Sequence, residues 1–166
     1  MIRFAQPDDA EQIADIYNHY IRNTVATFET EPVSGSEMAG RITDVAANGL
    51  PWLVAEGESG ISGYAYATPW RSRAAYRRSV EASVYLHTDA RGRGLGSILY
   101  RALFDELKQR SIHAVICGIA LPNTASVALH EKFGMEKVAH FKEVGFKFDR
   151  WIDVGYWQCL LEPDAF

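Results

Sequence analysis

The spacing of apolar residues in the first half of the chain predicts three strands and two helices. Residues 2–5 are typical of a short strand, and two aspartates after Pro7 favour the start of a helix. The apolar residues of this helix recur every three or four positions: Ile13, Ile16, Tyr17, Tyr20 and Ile21. A second helix is predicted over residues 36–47, and residues 52–56 and 61–68 predict a hairpin across a Gly/Ser turn.

The second half predicts four further strands and two further helices. Strands are predicted over residues 80–87, 113–120, 135–144 and 154–161, and helices over residues 95–110 and 123–133. Residues 70–78 are a loop, and residues 145–153 are an arm between the last two strands. The order β-α-α-β-β-β-α-β-α-β-β predicts an α/β (α+β) fold, with a mixed sheet and helices on both faces. We expect a single domain over residues 1–166.

Composition and charge narrow the classes of function. The chain has 166 residues, of which 48% are hydrophobic and 23% charged, as is typical of a globular domain. Its formal net charge of −4 argues against nucleic acid as a partner, because duplex binding relies on a basic face.

Cysteine usage and the absence of long apolar runs indicate a compartment. Cys117 and Cys159 are interpreted as buried reduced thiols, and no Cys or His stands at metal-ligand spacing, so no metal is expected. The start of the chain lacks the pattern of a signal peptide, and no apolar run approaches the roughly 20 residues of a membrane helix. We therefore expect a cytoplasmic protein with no membrane partner.

The sharpest chemical feature is a glycine-rich turn between a predicted strand and a predicted helix. It runs Arg91, Gly92, Arg93, Gly94, Leu95, Gly96 and Ser97. Amide N–H groups that open a helix have no partner within it, and with the helix dipole they favour an anion such as a pyrophosphate. The two arginines add charge-assisted contacts. The spacing fits neither a P-loop nor a dinucleotide fingerprint, and a purely structural turn is the alternative.

Two motifs resemble those of the GNAT superfamily of acyl-CoA N-acyltransferases. Arg91, Gly94 and Gly96 match its pyrophosphate pattern Gln/Arg-x-x-Gly-x-Gly/Ala. The segment from Asn123 to Met135 resembles its downstream pattern Asn-x-x-Ala/Ser…Leu-Tyr-x-x-x-Gly-Phe, with histidine at position 130 where many members have tyrosine. The resemblance implies the GNAT fold, with a mixed, mostly antiparallel sheet.

Further segments are similar to one branch, the phosphinothricin and methionine sulfoximine/sulfone acetyltransferases. They are residues 79–86, the Gly-x-Gly-Leu-Gly-Ser turn, residues 121–123 and residues 151–158. The resemblance implies acetyl-CoA as co-substrate, the amino group of a small amino-acid-like molecule as acceptor, and a homodimer. It also implies cofactor contacts through the backbones of Val84, Tyr85 and Leu86, the turn from Gly92 to Ser97, and Asn123.

Glu81 is the predicted general base. An amine must lose a proton before it attacks a thioester, and Glu81 lies in an apolar strand that leads to the acetyl-binding backbone. A salt-bridged or rim carboxylate is the alternative. His130 is a second catalytic candidate, which protonates the departing thiolate or relays a proton; a packed histidine bonded to a carbonyl is its alternative.

The substrate's carboxylate predicts a guanidinium partner, and the loop before Glu81 is rich in arginine. The predicted substrate-binding residues are Phe28, Arg71, Ser72, Arg73, Tyr76 and Glu81. Residues 27–30 resemble the lid of the branch. The aromatic segment 146–151 is interpreted either as a dimer element or as a hairpin on its own sheet.

Two other functions remain open from the sequence. One is a GNAT enzyme for a different amine, such as a peptide N-terminus, a polyamine or an aminoglycoside. The arginine-rich loop argues against the last two, because cationic substrates require carboxylates around them. The other is a non-catalytic acyl-CoA sensor on the same fold.

Overall fold

Seven strands and four helices follow one another within residues 1–162, which are the residues that the computed structural model describes. The strands are β1 (Ile2–Phe4), β2 (Trp52–Gly57), β3 (Gly60–Pro69), β4 (Ser79–Leu86), β5 (Ala114–Ala120), β6 (Glu136–Lys147) and β7 (Arg150–Leu160). The helices are α1 (Ala10–Asn23), α2 (Gly35–Ala47), α3 (Leu95–Gln109) and α4 (Thr124–Lys132). Residues 163–166 of the predicted domain lie outside the described residues. None of these four helices is long and apolar enough to cross a membrane.

The strands form one sheet in the order β1-β2-β3-β4-β5-β7-β6. Every neighbouring pair is antiparallel except β4 and β5, which are parallel. This confirms the predicted mixed, mostly antiparallel sheet. The β4–β5 pairing covers only three residue pairs, from Ser79 opposite Ala114 to Glu81 opposite Ile116. Beyond Glu81 the two strands no longer pair, and a cleft opens between them.

Two apolar clusters hold helices on opposite faces of the sheet, as predicted. On one face α1 and α2 bury Ile13 and Met38 against Trp52 and Tyr64 of the sheet. On the other face α3 buries residues such as Leu99 and Leu103 against β2, β3 and β4. Each fully buried side chain of this size stabilises the fold by about 1.5–3 kcal/mol.

The predicted arm over residues 145–153 is a hairpin, which is one of the two interpretations of the aromatic segment 146–151. β6 continues to Lys147 and β7 starts at Arg150, so a two-residue turn at Phe148 and Asp149 closes a long hairpin. Both turn residues have positive φ values, 53° and 56°, as a tight hairpin turn requires. A register shift between Phe141 and Gly145 interrupts the alternation along β6, which hides the strand from a periodicity argument.

Candidate active site

The cleft between β4 and β5 has a volume of about 560 Å³ and contains most of the predicted cofactor residues. The predicted residues that line it are Val84, Tyr85, Leu86, Arg91, Gly92, Gly96, Asn123 and His130. Gly118, Ile119 and Ala120 of β5 form the opposite wall. We refer to it as the cofactor cleft.

The main chain of β4 presents alternate residues to this cleft. The hydroxyl of Tyr20 donates to the carbonyl of Leu86 (2.8 Å) and accepts from its N–H (3.2 Å), while the next amide, of His87, donates to Ser62 on the β3 side. Since peptide groups alternate in direction along a strand, Val84 also faces the cleft, and Tyr85 faces β3. Of the three predicted backbone contacts, that of Tyr85 therefore has no support in this geometry, the groups of Leu86 are bonded to Tyr20, and Val84 faces the cleft.

The glycine-rich turn opens α3 in the geometry of an anion site. Gly92 and Gly94 have φ values of 73° and 80°, a region that glycine adopts without strain, and Gly94 caps the helix. The amides of Leu95 and Gly96 are in the first turn of α3, so they have no partner within the helix. A Cβ atom at position 96 would lie 3.3 Å from Leu129, which limits that position to a small residue.

The side chains around this turn differ in their positions. Arg91 lies at the cleft, with its guanidinium 5.0 Å from the ring centroid of Tyr20. Arg93 is exposed and is not among the residues that line the cleft. The hydroxyl of Ser97 accepts a hydrogen bond from Lys132 (3.1 Å), which attaches α3 to the end of α4. Arg93 is thus exposed beyond the lining of the cleft.

Asn123 caps α4 at the far end of the cofactor cleft. Its Oδ1 accepts a hydrogen bond from the amide of Ser126 (3.1 Å), as helix N-caps do. The Nδ2 group of Asn123 makes no hydrogen bond within residues 1–162. It remains available to a ligand in the cleft.

His130 is buried, and both of its ring nitrogens are engaged. Nδ1 lies 2.6 Å from the carbonyl oxygen of Ser126, so Nδ1 carries the proton and donates it. Nε2 then accepts from the hydroxyl of Tyr100 at 2.9 Å. Burial lowers the pKa of His130, which keeps the ring neutral. This geometry matches the packed-histidine interpretation and leaves no free N–H to reach a thiolate.

A second cavity, of about 820 Å³, lies beside the cofactor cleft and contains four of the predicted substrate residues. They are Phe28, Arg71, Tyr76 and Glu81. The two spaces share Val25, Ala26, Gly118 and Ala120 as walls. We refer to this second space as the amine cavity.

Glu81 is the acidic residue that lines the amine cavity. Its carboxylate has no hydrogen bond or ion pair within residues 1–162, so the salt-bridged alternative does not apply. Burial raises the pKa of Glu81, and the charge of Arg71 opposes that rise. Glu81 belongs to no cluster of three or more potential metal ligands in the described part of the chain.

Arg71 is the arginine of the loop at residues 70–78 that lines the amine cavity. It lies 5.0 Å from the ring centroid of Trp70, which in turn packs edge-on against Tyr156 at 5.8 Å. Ser72 and Arg73 are exposed and do not line the cavity, because the chain turns away into a short 3-10 turn at residues 74–76. These two predicted substrate residues therefore lie outside the lining of the amine cavity.

Sequence reasoning missed Tyr156 and Gly118, which complete the floor of the amine cavity. They are opposite each other in the β5–β7 register. A Cβ atom on Gly118 would lie 3.2 Å from the ring of Tyr156 and 3.5 Å from Oε1 of Glu81, so glycine keeps this space open. The signal was available only for Tyr156, a polar aromatic on a strand whose alternate residues face the core.

Comparison with known proteins agrees with this geometry. Residues 2–155 match the acetyltransferase (GNAT) domain. The chain is 39% identical to a phosphinothricin N-acetyltransferase of Streptomyces coelicolor, over 95% of this chain and 94% of that protein. It is 36% identical to an L-methionine sulfoximine/L-methionine sulfone acetyltransferase of Salmonella typhimurium, over 99% and 96%.

A similar solved structure contains acetyl-CoA. The crystal structure of a GNAT superfamily phosphinothricin acetyltransferase from Sinorhizobium meliloti in complex with acetyl-CoA superimposes with a TM-score of 0.94 at 39% identity, covering 97% of this chain and 88% of that one. The free amides of the turn and the unpaired edge of β4 fit such a ligand. The chain belongs to the GNAT family and is an acetyl-CoA-dependent N-acetyltransferase.

Proposed function

We propose that this enzyme acetylates the amino group of a small amino-acid-like substrate of the phosphinothricin, methionine sulfoximine or methionine sulfone type. One observation carries the proposal: the carboxylate of Glu81, which has no bonded partner in the described residues, and the guanidinium of Arg71 line one cavity that shares walls with the cofactor cleft. The carboxylate accepts a proton from the amine, and the guanidinium binds the acidic end of the same molecule. The names of the relatives support this substrate class.

The reaction proceeds by direct attack of the amine on the thioester. The substrate enters as an ammonium and gives one proton to Glu81, which leaves a neutral nitrogen with a free electron pair. That nitrogen forms a bond to the acetyl carbon, the carbon–sulfur bond breaks, and its electron pair leaves with the sulfur. The second proton of the nitrogen passes through water to the thiolate, and Glu81 returns its proton to solvent.

Two groups assist by position. The N–H of Val84 faces the cleft and donates to a carbonyl oxygen of the acyl chain, which is worth a few kcal/mol if it is well aimed. His130 holds the hydroxyl of Tyr100 and, as a neutral ring, is assigned no proton transfer. The pyrophosphate is held by the turn from Gly92 to Ser97.

A homodimer in the cytoplasm is part of the proposal. The β6–β7 hairpin has six large apolar side chains that are each at least half exposed: Val138, Phe141, Val144, Phe146, Phe148 and Trp151. An apolar surface of this kind on a soluble protein marks an interaction site. Sedimentation equilibrium tests it, and a monomer at micromolar concentration would contradict it.

A thiol-release assay tests the function. The purified protein is incubated with acetyl-CoA and a panel of amines: phosphinothricin, methionine sulfoximine, methionine sulfone, a peptide, spermidine and an aminoglycoside. We expect release of free thiol with the first three only. Release with spermidine or the peptide alone would refute the proposed substrate class. Calorimetric binding of acetyl-CoA without thiol release from any amine would indicate a sensor.

A further inference from the structure

Lys147 is a buried lysine that the reaction does not use. It is only 5% exposed, near the end of β6. Its Nζ donates to the carbonyl oxygens of Thr24 and Thr27, both at 2.8 Å, and lies 5.1 Å from the ring centroid of Phe148. These groups surround the ammonium with two carbonyl dipoles and one aromatic face, but with no carboxylate within residues 1–162.

Burial of the Lys147 ammonium without a carboxylate partner costs free energy of folding. A cation removed from water without a counter-charge loses solvation that carbonyl bonds only partly replace. The pKa of Lys147 is lowered by this burial, in agreement with incomplete compensation. A methionine or leucine at the same place would fill the space without that cost, but it would not bond the two carbonyls.

The two carbonyls belong to the loop between α1 and α2, residues 24–34, and they flank Val25 and Ala26. Those two residues are a wall that the cofactor cleft and the amine cavity share. The same loop packs on the hairpin a second time, because Phe28 covers Gly145. A Cβ atom on Gly145 would lie 2.3 Å from the Phe28 ring, so the ring rests directly on the β6 backbone.

We propose that Lys147 is a positioning residue that fastens the α1–α2 loop to the β6–β7 hairpin and thereby sets the shape of both spaces at once. The inference rests on the proposed function for its kinetic part only. Residues 25 and 26 have no side-chain hydrogen bond of their own to hold them, since they are Val and Ala. The hydroxyls of Thr24 and Thr27 bond Tyr20 and Tyr17 of α1, and the two bonds from Lys147 add the restraint that comes from the hairpin.

Lys147→Met tests this positioning role, because methionine keeps an apolar stem of similar length and removes the hydrogen-bond donor. Lys142→Met on the same strand is the matched control, since Lys142 is exposed and makes no hydrogen bond in the described residues. We expect KM for the amine substrate and for acetyl-CoA both to rise by about tenfold in Lys147→Met, with a smaller change in kcat, because small displacements of a positioning wall weaken both ligands. Lys142→Met should match the parent enzyme.

Hydrogen–deuterium exchange separates this role from a general loss of stability. We expect faster exchange in peptides covering residues 24–34 of Lys147→Met, with α3 and β5 unchanged and the oligomeric state preserved. Parental KM values, or raised KM values without faster exchange in that loop, would overturn the proposal.

Two further arms keep the test decisive. If Lys147→Met does not fold, Lys147→Gln is used instead, because glutamine retains one donor on a shorter side chain. We then expect an intermediate increase in both KM values and in the exchange rate of the loop. Parental values would overturn the positioning role of Lys147. An enzyme that acetylates none of the amines would refute the proposed function, and the exchange comparison would still decide whether Lys147 holds the loop.

Discussion

Replacing Glu81 with glutamine should reduce turnover and stabilise the fold at the same time. The change keeps the size and shape of the side chain and removes only its charge. In the structure that charge is half-buried in the amine cavity and has no bonded partner in residues 1–162, with Arg71 as the nearest compensating charge. The two effects have opposite signs, so a merely damaged protein will not show both.

The kinetic magnitude follows from the protonation of the substrate. A general base contributes about 10²–10⁴-fold, so kcat of Glu81→Gln should fall by about that factor at pH 7. Below the pKa of the substrate's amine, the fraction present as free base rises about tenfold for each pH unit. The ratio of parental to variant rates should therefore shrink as the pH rises from 7 to 9, by up to about tenfold for each unit below that pKa.

The effect on stability follows from the direction of the pKa shift. The folded state raises the pKa of Glu81 above the ordinary value of 4.5, so the folded protein holds this proton more tightly than the unfolded chain does. The cost is absent below the unfolded pKa, grows as the pH rises through the folded pKa, and is complete above it. Removal of the charge should stabilise the fold by on the order of 1 kcal/mol at pH 8. That corresponds to a Tm increase of roughly 2–4 °C, and the difference should vanish near pH 4.

Thiol release and thermal melts at pH 4, 7, 8 and 9 test both parts. Glu136→Gln is the matched control, because Glu136 is an exposed carboxylate on β6. An unchanged kcat, or a deficit that stays constant from pH 7 to pH 9, would refute the assignment of Glu81 as base. A lower Tm for Glu81→Gln at pH 8 would refute the electrostatic account of its burial.

Three more predictions concern single contacts. Arg71→Gln should raise KM for amino-acid substrates by about 10–100-fold in the thiol-release assay, because a charge-assisted bond is lost, while Arg73→Gln should leave it unchanged. Tyr20→Phe removes the hydroxyl that bonds both polar groups of Leu86 and should cost about 1–3 kcal/mol of unfolding free energy, measured by urea titration. Gly94→Ala must adopt a φ of 80° at a cost of about 1–2 kcal/mol. It should weaken acetyl-CoA binding in calorimetry, and parental affinity would contradict the role of the turn.

The fold was predictable wherever side-chain periodicity reports burial. The apolar run at residues 113–120 identified β5 as a strand buried on both faces, and helical spacing identified α1 and α3. The prediction of where β6 ends failed for a physical reason. A register shift and the exposed aromatics of the hairpin remove the link between apolar residues and burial there. The last strands are therefore longer than the pattern indicates.

The site was predictable only as far as it is local in sequence. The glycine-rich turn at residues 91–97 and the strand that contains Glu81 are short segments, and consecutive residues are enough to indicate their chemistry. The choice of Arg71 over Arg73 depends on where a loop turns, and the pairing of His130 with Tyr100 depends on how two helices pack. Contacts of Lys147 with Thr24 span more than a hundred residues, and no local pattern encodes them.

The divergence of β4 from β5 leaves backbone groups of β4 without a partner strand. Strands that separate leave N–H and C=O groups unpaired, and each such buried group must find a partner. Ala82 directly follows the last residue pair of the two strands, Glu81 opposite Ile116, and the amide and carbonyl of Leu86 both bond the hydroxyl of Tyr20. Val84 lies between them, faces the same way, and has no side-chain partner within residues 1–162. Leu86 is thus satisfied within the chain, and Val84 is the predicted position of the backbone contact with acetyl-CoA.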